Sequence, residues 1–363
     1  MPPLRLLADD LTGALDAGAE FARSAGPVHV FWHGAIPDPL PASAALDSGT
    51  REHDAVSARA IVAGLASRLS AAAIAFKKID SLLRGPTLAE LAACFAAGAW
   101  RYGILAPAFP FQRRITRDGR QFARDGATWR PAGPPLAETL RAEGIPAQRG
   151  QIGQPLSPGI TVFDAETDAE LAAIAAMPAP QPPLWSGTAG LAAALAGMPA
   201  IAPAILPRPI LGLFGSDQPA TSAQLAACRP HWHQLRDDDA LHDIASALQR
   251  GLALISVALP SGLARDDAAD RIGRAFHRAI RTLPRPGAII VAGGETLRGL
   301  CLALGAHSLE LEGRIEPGLP RAVLRGGLWD GVTIVSKSGA FGHEHLLRDL
   351  LAQNGFFNER TLR

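Results

Sequence analysis

The sequence predicts an α/β fold in two domains, each a mostly parallel sheet flanked by helices. Short apolar runs alternate with stretches of helical periodicity along the whole chain, the pattern of a parallel sheet with helices on its faces. Most of these runs end in turns rich in Gly, Ser, Thr or Asp, where open α/β sheets bind their ligands. A proline-dense segment, Met198–Pro209, interrupts the alternation once, as a semi-rigid linker does. The division is therefore placed at residues 1–205 and 206–363, and each part is long enough to bury its own core.

Leu4–Ala8 reads as a buried strand running into Asp9-Asp10-Leu11-Thr12-Gly13, with a helix from Ala14 to Ser24 closed by Gly26. One of the two carboxylates suffices to cap that helix, which leaves the other for a substrate hydroxyl or a metal ion. Val28–Trp32 and Ser43–Leu46 are the next strands, the second ending in Asp47-Ser48-Gly49-Thr50-Arg51 before a helix from Ala55 to Leu69. An apolar run, Ala71–Phe76, then meets Lys77-Lys78-Ile79-Asp80-Ser81-Leu82-Leu83-Arg84-Gly85. Pro86 opens the helix that continues through Leu91 to Ala97. A strand lies around Gly103–Ala106. Pro107–Arg130, rich in Arg, Gly and Phe and without periodicity, reads as a long loop or hairpin and a candidate lid. Ile160–Phe163 and a helix from Ala169 to Ala176 follow, and Leu184–Gly190 leads into an alanine-rich helix.

Beyond the linker the alternation resumes. Ile210–Phe214 is a strand ending in Gly215-Ser216-Asp217-Gln218, before a helix from Ala220 to Cys228. Ala253–Val257 ends near Ser261-Gly262, and Ala288–Ala292 runs into Gly293-Gly294-Glu295-Thr296 and a helix from Leu297 to Leu304. Val332–Val335 ends in Ser336-Lys337-Ser338-Gly339-Ala340-Phe341-Gly342, ahead of a last helix from His345 to Leu351. Glycine lets a ligand approach the backbone, and successive N–H groups at a helix start make an anion-binding concavity. Three such strand ends together describe a phosphate site, most economically a nucleotide's. Neither a Walker A sequence nor a spaced dinucleotide fingerprint is present, so ordinary P-loop and nicotinamide-dehydrogenase readings lose support.

Composition narrows the classes. A formal charge of +1 gives no reason to expect nucleic acid or a membrane surface as partner. Three scattered cysteines suit a reducing cytoplasm, and the start lacks a signal-peptide pattern. His231 and His233, like His343 and His345, are spaced by two, which is wrong for ligands on one helix face. Among 35 lysines and arginines, lysine occurs only at Lys77, Lys78 and Lys337, each at a strand end. Where lysine persists in an arginine-rich chain, a compact ammonium is the requirement that a planar guanidinium cannot meet.

The segments Ala8-Asp9-Asp10-Leu11-Thr12-Gly13-Ala14, Lys78-Ile79-Asp80-Ser81-Leu82-Leu83-Arg84-Gly85, Gly293-Gly294-Glu295-Thr296 and Lys337-Ser338-Gly339-Ala340-Phe341-Gly342, with Glu316-Pro317-Gly318-Leu319-Pro320, resemble the four-carbon acid sugar kinases. That family acts with ATP on threonate-, erythronate- and oxo-tetronate-like acids. The resemblance implies an acid-binding first domain and a nucleotide-binding second domain, with the active site in the cleft between them. At the first strand of the second domain only Ser216 carries over from the family's serine-rich segment, and the chain is shorter than the family leads one to expect.

The expected activity is transfer of the γ-phosphoryl of ATP, with Mg2+, to a hydroxyl of a short sugar acid. Asp10 is the first choice for general base and Asp80 the second, with Lys78 beside the reacting hydroxyl. Asp9, Thr12, Arg51, Ser81, Arg84 and Gly85 are expected to bind the acid, Arg51 and Arg84 at its carboxylate. Ser216, Gly293, Gly294, Glu295, Thr296, Lys337, Ser338, Gly339 and Gly342 are expected around the nucleotide; no metal ligands are assigned. The rivals are a silent sugar-acid and nucleotide sensor, or a dehydrogenase of the same acids. A homodimer is compatible with the sequence.

Overall fold

In the computed structural model all residues are described except 71, 99, 237–239, 261 and 358–363; Ala71 and Ser261, read as strand-end positions, thus lie outside the described residues. The chain divides into two compact units, Met1–Ala200 and Ile201–Arg363, a few residues before the cut expected after residue 205. The proline-dense segment is ordered against the second unit. Ala202 N donates to the Arg314 carbonyl, Arg321 Nη1 donates to the carbonyls of Pro203 and Ile205, and Asn354 Oδ1 accepts from Leu206 N.

The first unit is built on strands β1 (Leu4–Ala8), β2 (Val28–Trp32), β3 (Ser43–Asp47), β4 (Ile74–Lys78) and β5 (Tyr102–Ala106). A small separate sheet holds β6 (Arg114–Arg117), β7 (Arg120–Asp125) and β8 (Thr128–Pro131). Three further strands, β9 (Ala147–Arg149), β10 (Gly159–Val162) and β11 (Leu184–Gly187), rejoin the main sheet. Its order is β2-β3-β1-β4-β11-β5-β10-β9, parallel throughout. Strands covered on both faces read as continuous apolar runs, and β1, with Leu4, Leu6, Leu7 and Ala8 all buried, is one.

Helices α1 (Leu11–Glu20), α2 (Ala55–Ala66), α3 (Thr87–Ala97), α4 (Leu136–Ala142), α5 (Asp168–Ala175) and α6 (Ala189–Ala196) cover this sheet. α2, α3 and α4 pack in one layer over a core that includes Leu7, Leu46, Val62, Leu91, Phe95 and Leu140. α1, α5 and α6 pack with one another, and Phe21 behind α1 meets Phe76 of β4 edge to face. Side chains alternate along a strand, so Lys77 and Lys78 leave β4 in opposite directions, toward α3 and toward α1 respectively.

Of the loop and the hairpin expected for Pro107–Arg130, the structure has the hairpin, extended to three strands: β6, β7 and β8 pair antiparallel. Buried Gln121 fastens that sheet, donating to the carbonyls of Ser81 and Pro107 and accepting from the Thr116 hydroxyl. Leu184–Gly187, expected only to lead into a helix, is the strand between β4 and β5.

The second unit holds β12 (Ile210–Phe214), β13 (Trp232–Leu235), β14 (Leu252–Val257), β15 (Ala288–Ala292), β16 (Ser308–Glu316), β17 (Leu319–Arg325) and β18 (Thr333–Lys337). Five strands run parallel in the order β13-β14-β12-β15-β18, and the β16–β17 hairpin continues the sheet antiparallel. Its helices are α7 (Pro219–Ala227), α8 (Ala240–Gln249), α9 (Arg265–Thr282), α10 (Gly294–Leu304) and α11 (Leu346–Gln353). No described helix is long and apolar enough to cross a membrane.

Candidate active site

In the first unit β1 lies between β3 and β4, so the chain turns to opposite sides of β1 there, and the three strand ends meet at a topological switch point. The residues expected to bind the acid come together at these ends. Arg51 is the hub. Its Nε donates to Asp9 Oδ2 and its Nη2 to Asp9 Oδ1 at 2.9 Å. Nη2 also stands 3.1 Å from Asp10 Oδ1, and Nη1 3.3 Å from Asp80 Oδ1. Burial alone would raise the Asp9 carboxyl, but Arg51, helped by Lys77 and Lys78, outweighs it and holds the group below the carboxylate range.

Asp80 lies just past β4 and is saturated with donors. It accepts from the backbone N–H of Leu82 and Arg84 and, as a fork, from Arg84 Nε at 2.9 Å and Nη2 at 2.6 Å. Burial opposes its charge, yet Arg84 and Arg51 prevail and keep it ionised far below the usual range. Gly85 has φ +72°, and a Cβ there would run into the Arg51 carbonyl, so only glycine lets the two turns touch. Ser81 sits within this turn, its carbonyl held by Gln121.

Asp10 is the N-cap of α1, accepting from Gly13 N and the Thr12 hydroxyl, both at 2.8 Å. Its side chain keeps 24% of its surface in solvent, against 3% for Asp9 and 6% for Asp80. Lys78 lies under the first turn of α1, where a Cβ on Gly13 would stand 3.3 Å from Nζ. Its ammonium donates to the Ile79 carbonyl at 2.8 Å and acts electrostatically on both Asp9 and Asp80.

The second unit gathers the expected nucleotide residues in the same way. Its switch point lies between β12 and β15. A Cβ on Gly339 would collide with Ser216 Oγ, and one on Gly215 with Thr296 Oγ1, so the ends of β12, β15 and β18 are in close contact through glycine. Gly293 takes φ +100° as the N-cap of α10 and makes no side-chain cap bond. Gly294, Glu295 and Thr296 form the first turn, whose N–H groups suit an anion. Gly342, at φ +90°, packs against Gln224 and Leu346.

Lys337 is buried, and it donates to the Thr221 hydroxyl and to the carbonyls of Ser338 and Gly339. Burial lowers its pKa to about 8. Thr221 and Gln224 were not expected here. Gln224 Nε2 holds the Phe341 and His343 carbonyls, and no apolar or charge pattern in α7 betrays it. Glu90, partner of Lys77, did have a signal: it is the lone acid in the apolar helix Thr87–Ala97.

Two family models match, one of a sugar-binding N-terminal domain over residues 4–143 and one of a nucleotide-binding C-terminal domain over residues 211–347. The chain is 31% identical to a D-threonate kinase of Cupriavidus necator, over 94% of this chain and 95% of that one. It is 29% identical to a D-threonate kinase of Bordetella bronchiseptica, over 95% and 96% of the two chains. A Haemophilus influenzae protein of known crystal structure, 18% identical, superposes with a TM-score of 0.68 over 97% of this chain and 100% of that one, which shows the fold.

Proposed function

The chain belongs to the four-carbon acid sugar kinases, phosphotransferases with an alcohol group as acceptor, and from that premise we propose that it transfers the γ-phosphoryl of ATP to a hydroxyl of a threonate-like four-carbon acid. The observation that carries the reading is the partly open Asp10 carboxylate set among Arg51 and Lys78 at a strand-end switch point. A general base needs a free lone pair and reach to the substrate proton. Asp80, saturated and held strongly acidic, is a poor acceptor for that proton. Asp10 is the better base, aligned by Thr12 and Arg51.

Phosphoryl transfer is mostly positioning and charge stabilisation. Lys78 supplies a compact positive charge for the transferring group. Arg84, half in solvent, contributes to acid binding; Arg51, engaged by three carboxylates, holds Asp9, Asp10 and Asp80 in register. The phosphates of ATP fit the first turn of α10 and the glycines at Gly293 and Gly339. Asp217 and Glu295, exposed beside them, offer the hard oxygen ligands that Mg2+ prefers. When bound, the ion would neutralise phosphate charge. An ATP-consuming reaction of this kind belongs in the cytoplasm.

The experiment is ADP release with ATP, Mg2+ and a panel of threonate, erythronate and 3-oxo-tetronate isomers. One acid should raise it well above the acid-free rate. No increase with any of them would overturn the reading.

A further inference from the structure

Arg114 opens β6 and stands apart from the other arginines of the first unit's site. Its Nη1 donates to the carbonyls of Gln112 and Arg113 at 3.0 and 3.2 Å. Its Nε is buried and has no hydrogen-bond partner, and among the described residues no carboxylate pairs with it. An unpaired donor on a charged group is costly to bury. The guanidinium is nonetheless near enough to feel the Asp80 carboxylate and the Arg84 guanidinium.

The segment that holds it is fixed. Arg114 exchanges backbone hydrogen bonds with Phe109, Thr116 does so with Ala165, and Gln121 ties β7 to the Ser81 carbonyl in the Asp80 turn. Among the described residues, the non-glycine residues at positive φ are Leu83, Arg113 and Asp118. Leu83 adjoins Arg84 and Arg113 adjoins Arg114. Strained backbone of this sort persists where the surroundings over-determine it, commonly at ligand sites.

The local charges do not balance. Asp9, Asp10 and Asp80 face Arg51, Arg84, Lys78 and Arg114, groups linked by direct contact or mutual field. Three carboxylates against four cations leave one positive charge in excess. Lys78 and Arg114 both lack an ion pair among the described residues, but Lys78 donates to the Ile79 carbonyl whereas Arg114 keeps a buried Nε with no acceptor. We propose that Arg114 anchors the substrate's carboxylate, so that this residue makes the site select acids over the corresponding polyols. The proposal rests on the reading of this site as one for a short sugar acid. A guanidinium offers the paired donors that a carboxylate matches, and a bound acid would supply the missing negative charge.

The test compares wild type, Arg114→Met and Arg114→Lys, each acting on threonate and on threitol. In Arg114→Met the KM for threonate should rise about ten- to a hundredfold, the scale of one hydrogen bond to a charged group. Its KM for ATP should stay unchanged, and its preference for acid over polyol should collapse. Arg114→Lys keeps the charge and the stem, so it should recover part of the loss at an unaltered melting temperature. An active wild type with both variants unchanged toward threonate overturns the anchor alone. A wild type inactive toward every four-carbon acid overturns the substrate reading, and the anchor with it.

Discussion

Lys77 Nζ donates to Glu90 Oε2 at 2.8 Å, and 0% and 1% of the two side chains reach solvent. The pair lies on the α3 side of β4. Burial alone would push the Lys77 ammonium down, but the Glu90 carboxylate, with Asp9 behind it, lifts the pKa above the ordinary lysine value. The stability contributed by that charge is fully present below the unfolded pKa of about 10.4 and is lost only as pH rises through the higher folded value.

Removing either partner strands a charge in the core. Lys77→Met and Glu90→Leu should each lower the unfolding free energy by about 3–5 kcal/mol in urea titrations. The double variant should recover most of that loss, because an apolar pair of similar volume replaces a buried ion pair at little net cost. Single variants as stable as wild type would mean that the pair is not ionised.

Asp10 and Asp80 should separate in the same kind of comparison. Asparagine caps a helix about as well as aspartate, so Asp10→Asn should keep its melting temperature while kcat falls about a hundredfold or more, the scale of a lost general base. Asp80→Asn breaks the fork to Arg84 and should lose stability, by about 3 kcal/mol. Since the Asp80 pKa is depressed, its contribution is present above about 3.9 and fades as pH falls further, so the two proteins should converge only in strong acid. Wild-type kcat in Asp10→Asn would pass the base to Asp80.

The strands that position these residues were legible because parallel, doubly covered strands are unbroken apolar runs, as at Leu4–Ala8 and Ala288–Ala292. Leu184–Gly187 was not, since four residues ending in Ser-Gly after a proline run look like a turn. Arg265–Thr282 carries too many charges to announce itself beside such runs, though its apolar face at Phe276, Ala279 and Ile280 is buried. The charged turns stand out in the sequence as strand-end clusters, but their pairings do not. That Arg51 meets Asp9, Asp10 and Asp80 follows from β1 lying between β3 and β4, and strand order is not written in any local pattern. Arg114 does not stand out among the many arginines of Pro107–Arg130, because what marks it is a buried donor without a partner, which only a folded chain displays.

Lys337 provides the remaining test, and it reads two properties in opposite directions. Its ammonium is buried, donates only to a hydroxyl and two carbonyls, and has no carboxylate partner among the described residues. Desolvation therefore dominates and sets its pKa near about 8, below the unfolded value of about 10.4. Between those values the unfolded chain binds more protons than the folded one, so the Lys337 contribution to stability rises with pH. The unfolding free energy of wild type should gain on that of Lys337→Met across this window, as read by urea titration at several pH values. ATP affinity should move the other way, because losing the charge removes its attraction for phosphate. In calorimetry with a non-hydrolysable ATP analogue, wild type should weaken from pH 7 to 9.5, roughly a window centred on that pKa, and Lys337→Met should weaken less. Parallel pH profiles for the two proteins in both measurements would show that Lys337 titrates as an ordinary lysine and plays no part in holding the phosphates.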